Sequence, residues 1–255
     1  MRRPAMNRPG RPLARLALAL ALAGAAGPTH AASQSVAEFW PEIDVFVKLD
    51  DRWRLFLLAS STQASETGEK SEGTLGVHID YFASHLPEWS QRMLPKADQR
   101  FHLMLRAGYQ RLAQAGGGRE DRGVVEATLR SDPLLWDTQL ANRSRFDLRS
   151  IDGDASWRYR NRTRIERTWS PTAALGDTVG GAVNWVGAKT LTPYAMYEFF
   201  WDSRESRWNR RYAQVGIEFE VRNNRSLDIY LAHQEQTRSA GSSLTALGVT
   251  FTLKY

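Results

Sequence analysis

Leu247-Gly248-Val249-Thr250-Phe251-Thr252-Leu253-Lys254-Tyr255 is the stretch on which the reading of the fold turns. Its odd positions are apolar or aromatic, and its even positions, Gly248, Thr250, Thr252 and Lys254, are small or polar. A period of two gives a β-strand with two unlike faces. Working back along the chain, 211–221 repeats the pattern, with Ala213, Val215, Ile217, Phe219 and Val221 against Gln214, Gly216, Glu218 and Glu220. Segment 191–201 sets Leu191, Ala195, Tyr197, Phe199 and Trp201 against Thr192, Tyr194 and Glu198. Alternation also marks 39–49, 52–62, 74–84, 100–112, 123–130, 136–149, 154–167 and 226–237, which makes eleven segments. Turn-forming clusters separate them: Asp50-Asp51, Ser65 to Gly73, Gly116-Gly117-Gly118, Asp152-Gly153-Asp154, Asn223-Asn224 and Ser239 to Ser242. No long segment carries a helical period and no change of composition suggests a linker. The chain therefore reads as one all-β domain, a barrel or a sandwich.

Composition removes several functions. The 255 residues include no cysteine, which excludes disulfide frameworks, thiol nucleophiles, Cys-based zinc sites and iron–sulfur clusters. The formal charge of +6 is misleading, because Arg2, Arg3, Arg8, Arg11 and Arg15 sit in a first segment of 31 residues that holds no acid. Without that segment 29 basic residues face 28 acidic ones, so charge gives no support to nucleic-acid binding. The segment itself has an Arg-rich start, an apolar run from Leu16 to Ala26 and the small-x-small triplet Thr29-His30-Ala31. That order is the pattern of a cleaved secretory signal peptide over 1–31, with a mature barrel domain over 32–255.

Alternation alone does not say which face is wet. In a soluble barrel the apolar face points inward; in a transmembrane barrel it meets lipid and the polar face lines the lumen. Three features favour the second. The strands are long enough for the roughly 9–11 residues a membrane crossing needs. The polar faces carry charge at alternate positions, Arg143, Arg145 and Arg149 on one strand and Arg158, Arg160, Arg162 and Arg164 on the next. The row Leu247, Val249, Phe251, Leu253 and Tyr255 resembles the signal by which the outer-membrane assembly machinery recognises its clients. The expectation is an antiparallel up-and-down barrel in the bacterial outer membrane, with that machinery and outer-membrane lipids as partners. Bacterial barrels usually have an even strand number, so twelve strands are expected, with ten as the alternative and the extra strand in 85–99 or 169–188. A periplasmic C-terminus would put Ser239–Ser242 outside and Asn223-Asn224 in the periplasm. Trp40, Trp53, Trp89, Trp157, Trp169, Trp185, Trp201 and Trp208 fall near strand ends, as an interfacial girdle requires.

Several motifs add a family resemblance. Phe39-Trp40-Pro41-Glu42-Ile43-Asp44 followed by Asp51-Arg52-Trp53-Arg54-Leu55 resembles the opening hairpin of an uncharacterised family of small Gram-negative outer-membrane barrels, known as domain of unknown function 2490. Arg106-Ala107-Gly108-Tyr109, Arg158-Tyr159-Arg160-Asn161-Arg162, Tyr197-Glu198-Phe199-Phe200 and Trp208-Asn209-Arg210-Arg211 are similar to it as well. The resemblance spans nearly all of the mature chain. It implies a fold and a location, and no catalytic residues.

The arginine rows are the strongest chemical feature. If a hairpin at Ser150–Gly153 sets Arg149 against Asp154, then Arg145 lies opposite Arg158, Arg143 opposite Arg160, and Asn142 beside Asn161 on the outer face. Opposed like charges destabilise a sheet, so these guanidiniums need anions. Inward carboxylates are available in Glu42, Asp44, Asp80, Asp147, Glu166, Glu198, Glu218, Glu220 and Asp228. One reading is a lumen filled by an Arg/carboxylate network; another is a narrow pore that prefers anions. A third is a small lipid hydrolase, using His78 and Asp80 on one inward face with His102 on the next strand and Ser84 nearby. Outer-membrane lipid hydrolases place Ser and His on the lipid face, whereas here the outer rows read Leu75, Val77, Ile79, Tyr81 and Leu103, Leu105, Ala107. No phosphate-binding loop or dinucleotide motif is present, and neither cofactor nor metal is expected.

Overall fold

The computed structural model describes residues 35–64, 72–83, 101–114, 117–170, 188–221, 224–237 and 243–255. In them eleven strands follow one another: β1 (Ser35–Lys48), β2 (Trp53–Ala64), β3 (Glu72–Ala83), β4 (Phe101–Gln114), β5 (Arg119–Ser131), β6 (Thr138–Ile151), β7 (Asp154–Arg167), β8 (Ala188–Asp202), β9 (Arg207–Val221), β10 (Arg225–Gln236) and β11 (Ser243–Lys254). Consecutive strands pair antiparallel, and β1 pairs parallel with β11 from Ser35↔Ser243 to Phe46↔Lys254, which closes the barrel. The leader over 1–31, Ser84, Trp89, segment 85–99, Trp185, residues 65–71, Gly116, Asn223 and Ser239–Ser242 lie outside the described residues.

The strand count corrects the even-number expectation. All eleven alternating segments are strands, and among the described residues these eleven close the wall, since β1 and β11 share a full ladder. An up-and-down meander with an odd number of strands leaves its first and last strands pointing the same way. Closure then needs one parallel seam, and Ser35 and Lys254 fall at opposite ends of the barrel. The connections differ between the two ends. The two longest, 84–100 and 168–187, lie where β11 finishes; at the other rim none exceeds the seven residues of 65–71.

The strands put their apolar residues outside. Leu75, Val77, Leu105, Val125, Phe146, Leu148, Ile165, Tyr197, Val215, Ile217, Ile229, Leu231, Leu247 and Phe251 are all exposed, while Asp80, Glu126, Asp147, Glu198 and Thr250 are buried. Outer aromatics gather towards both rims. At the short-turn rim Trp157 stacks on Trp201 at 4.4 Å and Phe199 meets Trp208 edge-on at 5.1 Å. At the opposite rim Trp53 packs on Tyr81 at 4.8 Å, and Trp169 bridges to Leu191. Trp40 departs from the girdle expectation: it shares the inward parity of Glu42, stacks on Tyr212 at 6.0 Å and hydrogen-bonds Glu38 at 2.6 Å.

Two features fix the interior. The β6–β7 hairpin turns on Asp152 (φ 51°) and Gly153 (φ 99°), and a left-handed Asp-Gly pair is the two-residue turn that matches strand twist. On the opposite wall Gly248 lets the Tyr230 ring lie flat on the sheet, since a Cβ there would come within 1.9 Å of Tyr230 Cζ. Gly248→Ala should therefore lower stability by about 1–3 kcal/mol, the usual cost of overpacking. In a Tyr230→Ala background that cost should vanish. Urea unfolding of the folded protein, followed by tryptophan fluorescence, measures the coupling.

Candidate lumenal site

The short Asp-Gly turn moves the β6–β7 register two residues from the one drawn from sequence. Ile151, not Arg149, faces Asp154; Asp147 faces Arg158, Arg145 faces Arg160 and Arg143 faces Arg162. The assumed hairpin was too long. The faces survive, because a shift of two preserves strand parity. Arginines thus do lie directly opposite arginines in two successive rows; Arg143 and Arg160 are met by an acid from β8, Arg145 by Asp147 of its own strand, and Arg162 by no carboxylate in ion-pair reach among the described residues.

Glu198 on β8 is the hub. Its carboxylate accepts from Arg143 at 2.8 Å and from Arg160 at 2.9 Å, and only 1% of the residue is exposed. Glu126 on β5 adds a 3.6 Å contact to Arg143. Asp147 takes Arg145 Nε at 2.5 Å, and Gln110 Oε1 on β4 accepts from the same guanidinium at 2.9 Å. Towards the short-turn rim Asp202 Oδ2 takes Arg149 and Arg158, each at 2.8 Å, while Glu120 accepts from Arg149 and Arg122. Towards the other rim Glu166 holds Arg164 at 2.6 Å, with Glu218 3.7 Å from Arg164, and Glu220 accepts from Thr190 at 3.1 Å. On β2–β4, buried Asp80 accepts from Arg54 at 2.7 Å and Arg106 at 2.6 Å. Charge-assisted bonds of this length are the strong kind.

The other half of the lumen is aromatic. Tyr194, Met196, Phe200 and Tyr212 pack with Trp40 and Tyr230. Between this half and the guanidiniums lies a cavity of about 660 Å³. Its lining includes Arg143, Arg160, Arg162 and Arg164 from β6 and β7, and Glu42 and Asp44 from β1, on the far side of the strand order. Asp44 Oδ1 and Asp228 Oδ1 are buried there without a hydrogen-bond partner. The lumen is thus polarised across its width.

Two guanidiniums are unspent. Among the described residues neither Arg162 nor Arg210 has a carboxylate in ion-pair reach, and both line the cavity. A second cavity of about 380 Å³ opens at the short-turn rim, lined by Arg149, Arg158, Asp202, Arg204, Glu205, Asn209, Arg210 and Gln236. Arg158 and Arg210 belong to both linings and stand at the junction.

The histidines do not converge. His78 is buried, stacks on Phe56 at 5.1 Å, and neither ring nitrogen has a hydrogen-bond partner. Asp80 beside it is taken up by arginines. His102 lies apart at the start of β4, largely exposed and 2.7 Å from Asp132. Among the described residues no His/Asp/Glu group could hold a metal ion. Sequence reading missed Glu126, Glu120, Asp202 and Arg210 as inward charges. Glu126 lies within the segment 123–130 and follows from its alternation; extending that segment and 211–221 by a few residues would have shown Glu120 and Arg210, and Asp202 follows from Glu198 by the same parity.

No family model matches the chain, and no curated protein is similar to it. Of the resemblance drawn from the motifs, the structure shows the closed β-barrel.

Glu198→Gln should cost about 3–5 kcal/mol, because it removes the shortest ion pair of two largely buried guanidiniums and leaves them only the longer contacts to Glu126 and Asp147. Glu218→Gln should cost under about 1 kcal/mol, since that pair is long and partly solvated. The difference between their unfolding midpoints checks the hub role of Glu198.

Proposed function

We propose that the protein is a bacterial outer-membrane β-barrel, exported by its N-terminal leader and inserted by the barrel-assembly machinery, whose lumen is held by an Arg/carboxylate network. The observation that carries this reading is the separation of faces: charge lies inside, and aliphatic residues form an outer belt between two aromatic rims. Strands of 12–15 residues, rising about 3.3 Å per residue and tilted by about 40°, give a wall roughly 30–38 Å tall. That height suits a bilayer. A water-soluble protein rarely exposes so continuous an apolar surface.

A second reading, a narrow pore preferring anions, is favoured by Arg162 and Arg210, whose positive charges face the lumenal cavities without ion-pair partners. Fixed positive charge along a constriction sets the sign of the ion that enters. The hydrolase reading draws no comparable support, as the described outer face brings no Ser and His together.

Cell fractionation should recover the protein with the outer membrane, and its gel mobility should shift on boiling; recovery as a soluble periplasmic protein overturns the membrane reading. Val215→Arg, on the outer belt, should cost about 2–4 kcal/mol in lipid. In planar bilayers, conductance with anions favoured over cations supports the pore, and Arg162→Gln should lower that preference.

A further inference from the structure

The β8–β9 rim holds the least explained chemistry in the molecule. Between Phe200↔Arg210 and Trp201↔Trp208 the ladder slips, and Asn209 is the extra residue. Adjacent residues of a regular strand face opposite ways; a bulge re-aims one of them. Here it lets Asn209 and Arg210 both line the rim cavity. Asn209 is 9% exposed, and its Oδ1 is buried without a donor.

The cations around it are oriented and incompletely used. Arg158, Arg160 and Arg210 all lie within 6.0 Å of the centre of the Phe200 ring. Arg158 gives Nε and Nη2 to Asp202, which leaves its Nη1 free of that pair. The Arg204 backbone is pinned by Asp202 Oδ1 at 3.0 Å, and Ser203 N donates to Trp157 O at 3.0 Å, so the turn bearing the Arg204 side chain is fixed. In the cavity lining four arginines stand against two carboxylates. Asp202 is shared between Arg149 and Arg158, and Glu205 pairs with Arg207 at 3.2 Å. Glu120 takes Arg149 as well, so the surplus rests on Arg204 and Arg210, which have no carboxylate in ion-pair reach among the described residues; they make a doubly positive, water-facing cavity whose volume of about 380 Å³ suits a small solute.

We propose that this rim cavity binds inorganic phosphate, with Arg210, Arg204 and Arg158 donating to its oxygens and Asn209 Oδ1 accepting its P–O–H proton. A doubly charged oxyanion matches the surplus, and planar guanidinium forks suit its oxygens. The Asn209 oxygen selects for an oxyanion that still carries a proton. Sulfate has the same shape and charge but no proton near neutral pH, and would leave that oxygen unpaired, a loss that sites built for a donor convert into strong discrimination. The ligand is free in water, because the cavity side chains point away from the lipid-facing wall. The proposal rests on the lumenal reading above, not on conduction.

The test is calorimetric titration of the intact, detergent-folded barrel with sodium phosphate, sodium sulfate and sodium chloride at constant ionic strength near neutral pH. Saturable one-to-one phosphate binding, at least tenfold tighter than sulfate, is expected. Arg210→Gln should weaken it at least tenfold; among the described residues no carboxylate forms a direct ion pair with Arg210, so the variant should fold, and heat-modifiable mobility checks this. Arg210→Lys should recover only part of the affinity. Asn209→Ser should bring phosphate and sulfate together, while Arg111→Gln, on the outer wall, should change nothing. Equal binding of the two oxyanions by the native chain, or phosphate binding unchanged in Arg210→Gln, overturns the site. Phosphate binding in a barrel that does not conduct keeps the site and defeats the pore. Anion conductance without saturable phosphate binding does the reverse.

Discussion

A carboxylate shared between two arginines, Glu198 between Arg143 and Arg160, is the contact on which the interior depends. Each strand carries its charges on one face, and closing the sheet gathers those faces into one lumen. Arginines then meet arginines across β6 and β7, where Asp147 and Glu166 neutralise a neighbour on their own strand and the other acids come from other strands. Glu198 comes from β8, Glu126 from β5 and Asp202 from the end of β8. The pairs made by these three acids act across the wall rather than along a strand, and those from Glu198 and Asp202 to β7 resist any slip of β7 against β8. Buried pairs add little net energy compared with apolar packing, but losing one partner is costly. The network's main contribution is thus to register and closure.

Odd closure shapes how the aromatics fill the remaining space. The parallel seam sets Trp40 of β1 opposite Gly248 of β11, with Tyr230 of β10 on the other side of the same glycine. Gly248 has no side chain to occupy the gap, so the Tyr230 ring lies over it. The aromatic half of the lumen follows from this seam, just as the arginine half follows from the β6–β7 hairpin. The cavity between them is the space that neither half fills.

The eleven strands, their faces and the inward arginines were legible in sequence because alternation repeats in every segment, and a period of two is insensitive to where a strand begins. Strand number parity was not, since the even rule is a habit of assembled barrels rather than a property of any segment. The register of β6 on β7 turned on whether two or four residues make the turn, and positive φ at Asp152 cannot be read from a letter. Partner choice was still less visible. Alternation says that Glu198 and Arg143 both face inward, but not that the two, 55 positions apart, come within 2.8 Å. Asn209 was hidden for a sharper reason, because a bulge breaks the parity rule by which inward residues are found.

The outer wall of β6 and β7 shows how the opposed arginine rows are tolerated. Between the rows Arg145↔Arg160 and Arg143↔Arg162 lies the outward pair Ser144↔Asn161. There Asn142 Nδ2 donates to Asn161 Oδ1 at 3.1 Å and Asn161 Nδ2 returns a bond to Asn142 Oδ1 at 3.2 Å, so the amides pair diagonally rather than side by side. Ser144 and Thr163 accept from the same two amides at 3.1 Å each. Asn161 stands four residues from rim Trp157, about 10 Å into the wall; on the outer-membrane reading proposed above, an unpaired amide there would face hydrocarbon at high cost. Reciprocal pairing removes most of that cost. What it adds is a side-chain tie between the two strands whose inner faces repel, at the level where the repulsion acts. A hydrophobic pair at the same position would match the apolar outer wall as well but would carry no directional bond across the strands.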